Sequence, residues 1–443
     1  MRFVVRSAVF ADRHRQGSET QGQVLDFINV PEGSRPVKLL IYSHTFAPSV
    51  GGVETIVMTL ARGLVARTAD AARSPVEVTV ATPTPARAFD DAVLSFRIIR
   101  QPSVWQLWTL IRQADVVHLA GPALLPLVLS TVLRKRVFIE HHGFQAVCPN
   151  GQLLYEPSGS ECPGYFMLAQ RGKCLGCTSG AGSLQSCRML VLTFFRRWLC
   201  MTAFSNITPT SYLAGILKLP RMVTIHHGLP IPRQGLPPAS AGGPPRFAYV
   251  GRLVSTKGVY VLLAAAEQLR ARGASFRLDI IGDGPERPRL ETETSAAGLS
   301  DHVRFQGYLS DPEAENVLAE ATAVIVPSLA GEVFGLAALE NMARGKLVIA
   351  SGLGSLRELI GDTGLTFPQG DAAALADCMT AASEQTDIAT SLASRARDRA
   401  VQCFDELRMV ESHRSLYEQS SGTTHPCGLD TKTLPERGCQ HRE

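Results

Sequence analysis

The segment GEVFGLAALENMARGK, residues 331–346, places two carboxylates around a glycine-containing turn. It follows the apolar run AVIVPS, typical of a buried strand, and its own apolar spacing predicts a helix that begins near Phe334. Glu332 is then expected at the strand end, with Glu340 about two turns inside the helix. Unpaired amides at a helix start attract phosphate groups, and Gly335 permits a ligand to approach the backbone closely. The segment therefore predicts a phosphate-binding helix start flanked by two carboxylates.

A second segment, GRLVSTKG at residues 251–258, carries two positive charges directly after another apolar strand. Arg252 and Lys257 follow that strand closely, and two cations so placed could stabilise a negatively charged group. An arginine and a lysine five residues apart are also common surface charges, so this segment has meaning only beside the first one.

The first half of the chain contributes a glycine pair and a histidine pair, each at the end of an apolar strand. Gly51 and Gly52 lie in APSVGGVE, a turn that leads into a helix, and the missing Gly-x-Gly-x-x-Gly spacing argues against a dinucleotide site. EHHGFQ, residues 140–145, ends another strand. An imidazole there can orient or hydrogen-bond a ligand without carrying full charge, although a histidine at a strand end, taken alone, is more often structural. His142 is the candidate for this role, and His141 is the alternative.

Together these motifs resemble glycosyltransferase family 4, in the GT-B superfamily. The resemblance rests first on two glutamates with seven residues between them, Phe-Gly among those seven, and it covers residues 37–418. It implies that Glu332 contacts the donor sugar, Glu340 the ribose hydroxyls and His142 the reacting sugar. The other positions that it implies are Arg252, Lys257, Phe334, Gly335 and Leu336 on the donor side, and Gly51 and Gly52 in a phosphate or acceptor loop.

A few positions can be compared with the family pattern one by one. His227 stands where asparagine is usual, Asn341 where alanine is usual, and Lys346 where proline is usual. Glu358 matches a glutamate that is usual in the family. We expect the three departures to change fine geometry and not the class of protein.

The resemblance implies a hexosyltransferase-type enzyme, as in polysaccharide biosynthesis, that retains anomeric configuration. Its partners would be a nucleoside-diphosphate sugar of the UDP or GDP type and a glycan, lipid-linked or small-molecule acceptor. We expect no metal cofactor in catalysis, since the matching segments contain no Asp-x-Asp motif. Two alternatives stay open: a nucleotide-sugar epimerase on the same scaffold, and a non-catalytic nucleotide-sugar-binding protein.

The elements that must position these residues form two series of apolar strands alternating with helices. A proline- and glycine-rich stretch separates them, and 443 residues exceed what one core usually organises. The pattern predicts a GT-B architecture, two tandem Rossmann-like doubly wound α/β domains with an interdomain cleft. The expected segments are a loose N-terminal extension (1–36), an acceptor-side domain (37–232), a linker (233–246), a donor-binding domain (247–404), a terminal helix that could cross back (405–418) and a tail (419–443).

Four cysteines fall close together in a predicted insertion, residues 143–187. Two of them are separated by two residues, and all four could surround one tetrahedral zinc ion. Reduced thiols are the equal alternative to this structural zinc. The residues are Cys148, Cys162, Cys174 and Cys177.

Composition excludes some partners. A net charge of +4 over 443 residues is too small to predict a nucleic-acid partner. The N-terminus is a poor secretory signal and the apolar runs are short for a membrane span, so we expect a cytoplasmic protein. The stretch MLVLTFFRRWLCMTAF, residues 189–204, is expected as a core helix, with peripheral contact to the inner face of a membrane as the alternative.

Overall fold

The computed structural model describes residues 36–66, 75–178, 180, 182–237 and 243–421. The predicted N-terminal extension and tail lie outside these residues, apart from Pro36 and residues 419–421.

The first half of the described chain forms a parallel sheet with helices on both of its faces. Seven strands make this sheet in the order β3-β2-β1-β4-β5-β8-β9. The strands are β1 (Val37–Ser43), β2 (Val76–Thr82), β3 (Arg97–Arg100), β4 (Val116–Ala120), β5 (Val137–Glu140), β6 (Leu154–Tyr155), β7 (Ser160–Glu161), β8 (Ser205–Thr208) and β9 (Met222–Thr224), of which β6 and β7 pair separately. The helices are α1 (Gly52–Ala66), α2 (Val104–Gln113), α3 (Leu124–Val132), α4 (Arg171–Cys177), α5 (Ser183–Thr202) and α6 (Ser211–Leu217).

The second half repeats this architecture with a six-stranded parallel sheet in the order β12-β11-β10-β13-β14-β15. Its strands are β10 (Arg246–Val250), β11 (Arg277–Ile281), β12 (Val303–Gly307), β13 (Ala323–Val326), β14 (Leu347–Ser351) and β15 (Leu365–Phe367). The helices are α7 (Val259–Ala271), α8 (Arg287–Ala296), α9 (Asp311–Ala319), α10 (Leu336–Ala343), α11 (Gly354–Ile360), α12 (Ala372–Glu384), α13 (Thr386–Cys403) and α14 (Glu406–Ser421).

Continuous apolar strands explain this doubly wound arrangement. Every residue of β4, β13 and β14 is buried, as expected for strands covered by helices on both faces. Strand order reverses next to β1 in the first sheet and next to β10 in the second, and such reversals open a ligand crevice at the carboxyl ends of the strands. The predicted fold of two tandem doubly wound domains is confirmed.

The two domains are joined by more than the linker. Helix α14 packs on α1 of the first domain, where a Cβ on Gly63 would lie 2.4 Å from a Val410 methyl group. Leu229, at the end of the first domain, pairs with Asp405 in an isolated parallel bridge just before α14. The last helix of the described chain therefore lies on the first domain.

Lys346 occupies the position where a proline is usual in the resembling family, and it is almost fully buried. Its ammonium donates hydrogen bonds to the carbonyl oxygens of Pro237 (2.8 Å) and Ala319 (2.7 Å). The departure from the pattern thus fastens the linker to the second domain.

Helix α5 contains the apolar stretch that was expected in the core, and it is buried on one side only. Leu199 and Cys200 are buried, whereas Val191, Phe195 and Trp198 are exposed by 63%, 41% and 54%. The core expectation thus holds for one face of the helix, and the opposite face presents apolar side chains to solvent. Among the described residues, no helix is both long enough and apolar enough to span a membrane.

Candidate active site

Lys257 and Glu332 contact each other at the carboxyl ends of two strands of the second domain. Lys257 ends a short 3₁₀ turn after β10, and Glu332 follows β13, so the sheet brings together two residues that lie 75 positions apart. The Lys257 ammonium donates a hydrogen bond to Glu332 Oε1, and Ser328 Oγ donates to the same oxygen at 2.9 Å. Burial raises the pKa of Glu332, but the Lys257 charge and these hydrogen bonds outweigh it and hold the pKa below its usual range. Glu332 is therefore an ionised carboxylate.

Backbone fit sets the position of the Lys257 turn. Gly258 has a φ of +65°, and a Cβ there would lie 2.1 Å from the Pro327 carbonyl oxygen. The Leu329 amide also donates to the Thr256 carbonyl at 2.8 Å. The turn and the loop after β13 thus pack directly on each other, which explains why a glycine follows the lysine.

Helix α10 begins at Leu336, two residues later than expected, because Gly335 adopts a left-handed conformation with a φ of +104°. A Cβ at Gly335 would lie 2.5 Å from a Leu356 methyl group, so this position requires glycine. Glu340 consequently lies little more than one turn into the helix. The start of α10 directly follows the loop that holds Glu332, which keeps free backbone amides beside that carboxylate.

Phe334 does not face the cleft, although it was predicted as a donor-binding residue. Its side chain is 1% exposed and packs edge-on against His227, with ring centroids 5.1 Å apart, and against Phe404. Phe334 anchors the loop in the core between the domains, so only its backbone is placed for ligand contact.

The glycine pair of the first domain lies opposite the start of α10. A Cβ at Gly52 would lie 3.1 Å from Leu336 Cδ1 in the second domain, which is tighter than ordinary contact. At Gly51 a Cβ would instead meet the flexible end of Glu54. The structure therefore brings the two predicted loops face to face across the cleft.

Arg252 and Glu340 lie at the surface of the second domain. The Arg252 side chain is exposed, and its carbonyl accepts a hydrogen bond of 2.8 Å from the Tyr249 hydroxyl. Glu340 is 39% exposed on α10, 4.0 Å from Arg344. Both side chains are accessible to a ligand.

A stack of rings connects His142 with the second domain. His142 stacks on His227 with centroids 5.1 Å apart, and His227 in turn contacts Phe334. The His142 side chain is only 5% exposed. His141 is fully buried and pairs with Asn206 Oδ1 at 2.9 Å, inside the sheet of the first domain. This location does not suit the role of the alternative sugar-facing histidine.

Glu140, the last residue of β5, is a buried carboxylate surrounded by imidazoles. His118 Nε2 lies 3.2 Å from Oε2 and His142 Nε2 lies 3.5 Å from it, while His227 Nε2 (3.2 Å) and His413 Nε2 (3.7 Å) approach Oε1. Burial raises the pKa of Glu140, but the surrounding imidazoles more than offset this and leave it well below the usual value. The carboxylate thus connects the candidate histidine with α14.

Two groups around Glu140 have the atom types and spacing that could hold a metal ion. In each group the ligand atoms lie within 4.8 Å of one another. One group is Glu140, His142 and His227, and the other is His118, Glu140 and His413. In the second group, His118 Nδ1 pairs with the Tyr417 hydroxyl and His413 Nδ1 with the Met409 carbonyl. In EHH only the two histidines were predicted to act. The sequence feature that could have indicated the network is Glu140 itself, a charged residue at the end of an otherwise apolar strand.

Glu358, which matched a family glutamate, joins the two domains. Its carboxylate accepts hydrogen bonds from the backbone amides of Ser211 (2.8 Å) and Tyr212 (2.9 Å) at the start of α6. A carboxylate at a helix start also interacts favourably with the helix dipole. No sequence spacing indicated this contact, because the partners lie about 147 residues apart.

The predicted cysteine insertion folds over the first domain as the antiparallel hairpin of β6 and β7 followed by α4. The hairpin was not predicted. Each of its strands has only two residues, too few to show a period. All four predicted cysteines are free thiols and line one cavity.

Residues 237–399 match the protein family described as glycosyl transferases group 1. A phosphatidyl-myo-inositol mannosyltransferase of Mycolicibacterium smegmatis is 33% identical over 168 residues, which are 38% of this chain and 42% of that protein. A glycogen synthase of Mycobacterium tuberculosis is 34% identical over 177 residues, 40% of this chain and 42% of that protein. The chain spans less than half the length of these curated relatives.

Solved structures resemble the whole two-domain fold. The Anabaena protein Alr3699/HepE, crystallised with UDP, superimposes with a TM-score of 0.65 at 19% identity, covering 86% of this chain and 100% of that one. Sucrose-phosphate synthase of Thermosynechococcus elongatus gives a TM-score of 0.65 at 21% identity, with 88% and 100% covered. At these identities the likeness shows the GT-B fold.

Proposed function

We propose that the protein transfers a sugar from a nucleoside-diphosphate sugar to an acceptor, a proposal that rests on the match of residues 237–399 to the glycosyl transferases group 1 family. The observation that carries the proposal is the meeting of Lys257 and Glu332 beside the start of α10. One cation, one ionised carboxylate and a set of free amides lie together at the carboxyl ends of parallel strands, where doubly wound sheets bind ligands.

On this proposal the donor diphosphate binds Lys257, Arg252 and the amides around Leu336. Lys257 exchanges its Glu332 partner for a phosphate oxygen, and the released carboxylate accepts a hydrogen bond from a donor-sugar hydroxyl. Glu340 accepts hydrogen bonds from the ribose, since its side chain is accessible near the helix start. UDP is the first nucleotide to test because the similar Anabaena structure was solved with UDP.

The chemistry proposed is transfer with retention of anomeric configuration and without a catalytic metal. Lys257 and Arg252 stabilise the charge that develops on the leaving diphosphate, the role that a divalent ion fills elsewhere. The leaving phosphate oxygen assists attack on the same face of the sugar. Glu332 orients the sugar while these charges develop.

We propose that the acceptor binds on the first domain, opposite the donor loop. His142 follows β5 of that domain and is held by Glu140 and by stacking on His227. We propose that it orients the reacting sugar, with Gly51 and Gly52 allowing the acceptor or phosphate to approach the backbone. The acceptor class proposed is a glycan or a lipid-linked saccharide.

The exposed face of α5 supports peripheral contact with an anionic membrane. Val191, Phe195 and Trp198 recur at the three- and four-residue spacing of one helix face, and Trp105 on α2 is 76% exposed. Arg134 and Arg136, between α3 and β5, are also exposed and suit anionic head groups. Flotation with phosphatidylglycerol vesicles should recover the wild type and not Phe195→Ser/Trp198→Ser, with Val401→Ser as the control; equal flotation would remove this face from the proposal.

The transfer proposal is tested by incubating the protein with UDP-sugars and GDP-sugars and a panel of glycans and lipid-linked acceptors. Release of UDP or GDP with an acceptor-linked sugar product supports the proposal. A sugar isomer formed without an acceptor would identify an epimerase instead. Donor binding with no turnover on any acceptor would favour a binding protein.

A further inference from the structure

Four cysteine side chains from three separate pieces of the insertion line one small cavity. Cys148 follows β5, Cys162 follows β7, and Cys174 and Cys177 lie one turn apart on α4. The fold brings these four side chains, which span 30 positions of the chain, to one cavity. No three of their sulfur atoms lie within 4.8 Å of one another, so the side chains would have to turn toward a common centre to bind one ion. Leu154, Tyr155, Tyr165 and Thr178 complete much of the lining.

Polar groups around the cavity are directed at the sulfur atoms. The Glu156 amide donates to Cys177 Sγ at 3.4 Å, and Asn150 Nδ2 donates to the same sulfur at 3.5 Å. Asn150 Oδ1 in turn accepts from Cys148 Sγ at 2.9 Å. The two donors at Cys177 are of the kind that stabilises a sulfur atom carrying negative charge and orients a metal ligand. The hydrogen bond from the Cys148 thiol to Asn150 Oδ1 would be given up when that thiol loses its proton to bind an ion.

We propose that Cys148, Cys162, Cys174 and Cys177 bind one structural zinc ion. Sulfur-only coordination by four cysteines is a preferred zinc geometry, and it leaves no open position for substrate. Each thiol gives up its proton when the ion binds.

Positive charge is available beside the resulting anionic cluster. The Lys173 ammonium lies 5.9 Å from the centre of the Tyr165 ring, which lines the cavity. Arg171, on the same helix, lies over the Phe194 ring at 5.1 Å. A four-thiolate zinc site carries two net negative charges, and these cations compensate part of them.

The ion would fasten the insertion to the junction between the domains. Glu161, next to Cys162, accepts a hydrogen bond from the Tyr212 hydroxyl. The Tyr212 ring packs directly on Gly354 of the second domain, where a Cβ would lie 2.0 Å from the ring. Loss of the zinc should therefore loosen this junction as well as the insertion.

The first test measures zinc in the purified full chain by mass spectrometry after dialysis against metal-free buffer. We expect about one zinc per chain. Cys174→Ser/Cys177→Ser should lose it, while Cys187→Ser/Cys378→Ser, two cysteines outside the cavity, should retain it. The variant Glu140→Gln/His413→Ala removes ligands from the histidine groups and should also retain the zinc.

A second test uses the wild type alone, so it does not depend on whether a variant folds. Protein expressed in medium that contains cobalt in place of zinc should show sulfur-to-cobalt charge-transfer absorption and the intense visible bands of a tetrahedral site. A mercurial reagent should release the metal in step with thiol modification. Wild type without zinc whose four thiols react freely in the folded state would overturn the proposal, as would zinc retained by Cys174→Ser/Cys177→Ser.

Discussion

The contact of Lys257 with Glu332 predicts opposite effects of the two residues on nucleotide binding. Lys257→Met should weaken UDP binding, because it removes a cation from the diphosphate. Glu332→Gln should leave UDP affinity unchanged or make it tighter, because the ammonium no longer has to leave a carboxylate. Turnover should fall steeply in both variants.

The magnitudes follow from the type of contact. A hydrogen bond to a charged group contributes about 1.5–3 kcal/mol, and about 1.4 kcal/mol is a tenfold change in Kd. We therefore expect Lys257→Met to raise the Kd for UDP by about 10- to 100-fold. Loss of an oriented polar group that acts at the reacting sugar should lower turnover in Glu332→Gln by about 100- to 1,000-fold.

Calorimetric titration with UDP and measurement of UDP release from UDP-glucose check these values. The double variant should bind UDP as Lys257→Met does, because the carboxylate acts on the nucleotide only through the lysine. Arg272→Met and Asp377→Asn break an exposed ion pair of the same domain and serve as controls that should change neither quantity. Wild-type affinity in Lys257→Met, or wild-type turnover in Glu332→Gln, would refute the proposed roles.

Three further predictions concern the framework. Gly52→Val should weaken donor binding and lower stability, since its side chain meets Leu336, whereas Gly51→Ala should be tolerated; titration calorimetry and thermal unfolding compare them. Glu358→Ala should lower the free energy of unfolding, measured by urea denaturation, by about 1–2 kcal/mol, because two backbone amides lose their acceptor. His141, whose pKa burial lowers to about 4, stays neutral in the fold while the unfolded imidazole protonates near pH 6.5. Stability from this residue is present above pH 6.5 and is lost as pH falls towards 4, a change of about 3 kcal/mol.

Equal donor affinity in Gly52→Val and Gly51→Ala would contradict the close contact between Gly52 and Leu336. Unchanged unfolding of Glu358→Ala would show that its carboxylate does not hold the domains together. The difference in unfolding free energy between wild type and His141→Gln should shrink between pH 6.5 and pH 4, and a constant difference would contradict the prediction for this residue.

Sequence periodicity was sufficient for the fold because strands buried on both faces need continuous apolar runs. VKLLIYS and LVIAS show such runs, and both form strands with the expected bounds. The hairpin in the insertion was missed because two-residue strands have no period. The start of α10 was placed two residues early, since apolar spacing does not reveal the left-handed Gly335.

Local motifs located the groups of the candidate site but not how they connect. Lys257 and Glu332 each followed a recognisable strand, and parallel strands carry such residues to one edge. Phe334 was predicted on the donor side as part of the helix start and its amides, and the sequence did not indicate that its ring fills the core between the domains. The network around Glu140 depends on residues from β4 to α14, and no sequence spacing encodes contacts of that range.

The most direct test of nucleotide-sugar transfer in this cleft is calorimetric titration of the wild type with UDP, GDP, ADP and their sugars. The titrations are made first without added divalent ions and then with Mg²⁺, which leaves the proposed zinc site undisturbed. We predict that one diphosphate and its sugar bind selectively, that Mg²⁺ does not change the affinity, and that Lys257→Met weakens it. No binding by any nucleotide, or binding only with Mg²⁺, would contradict the proposed metal-free donor site.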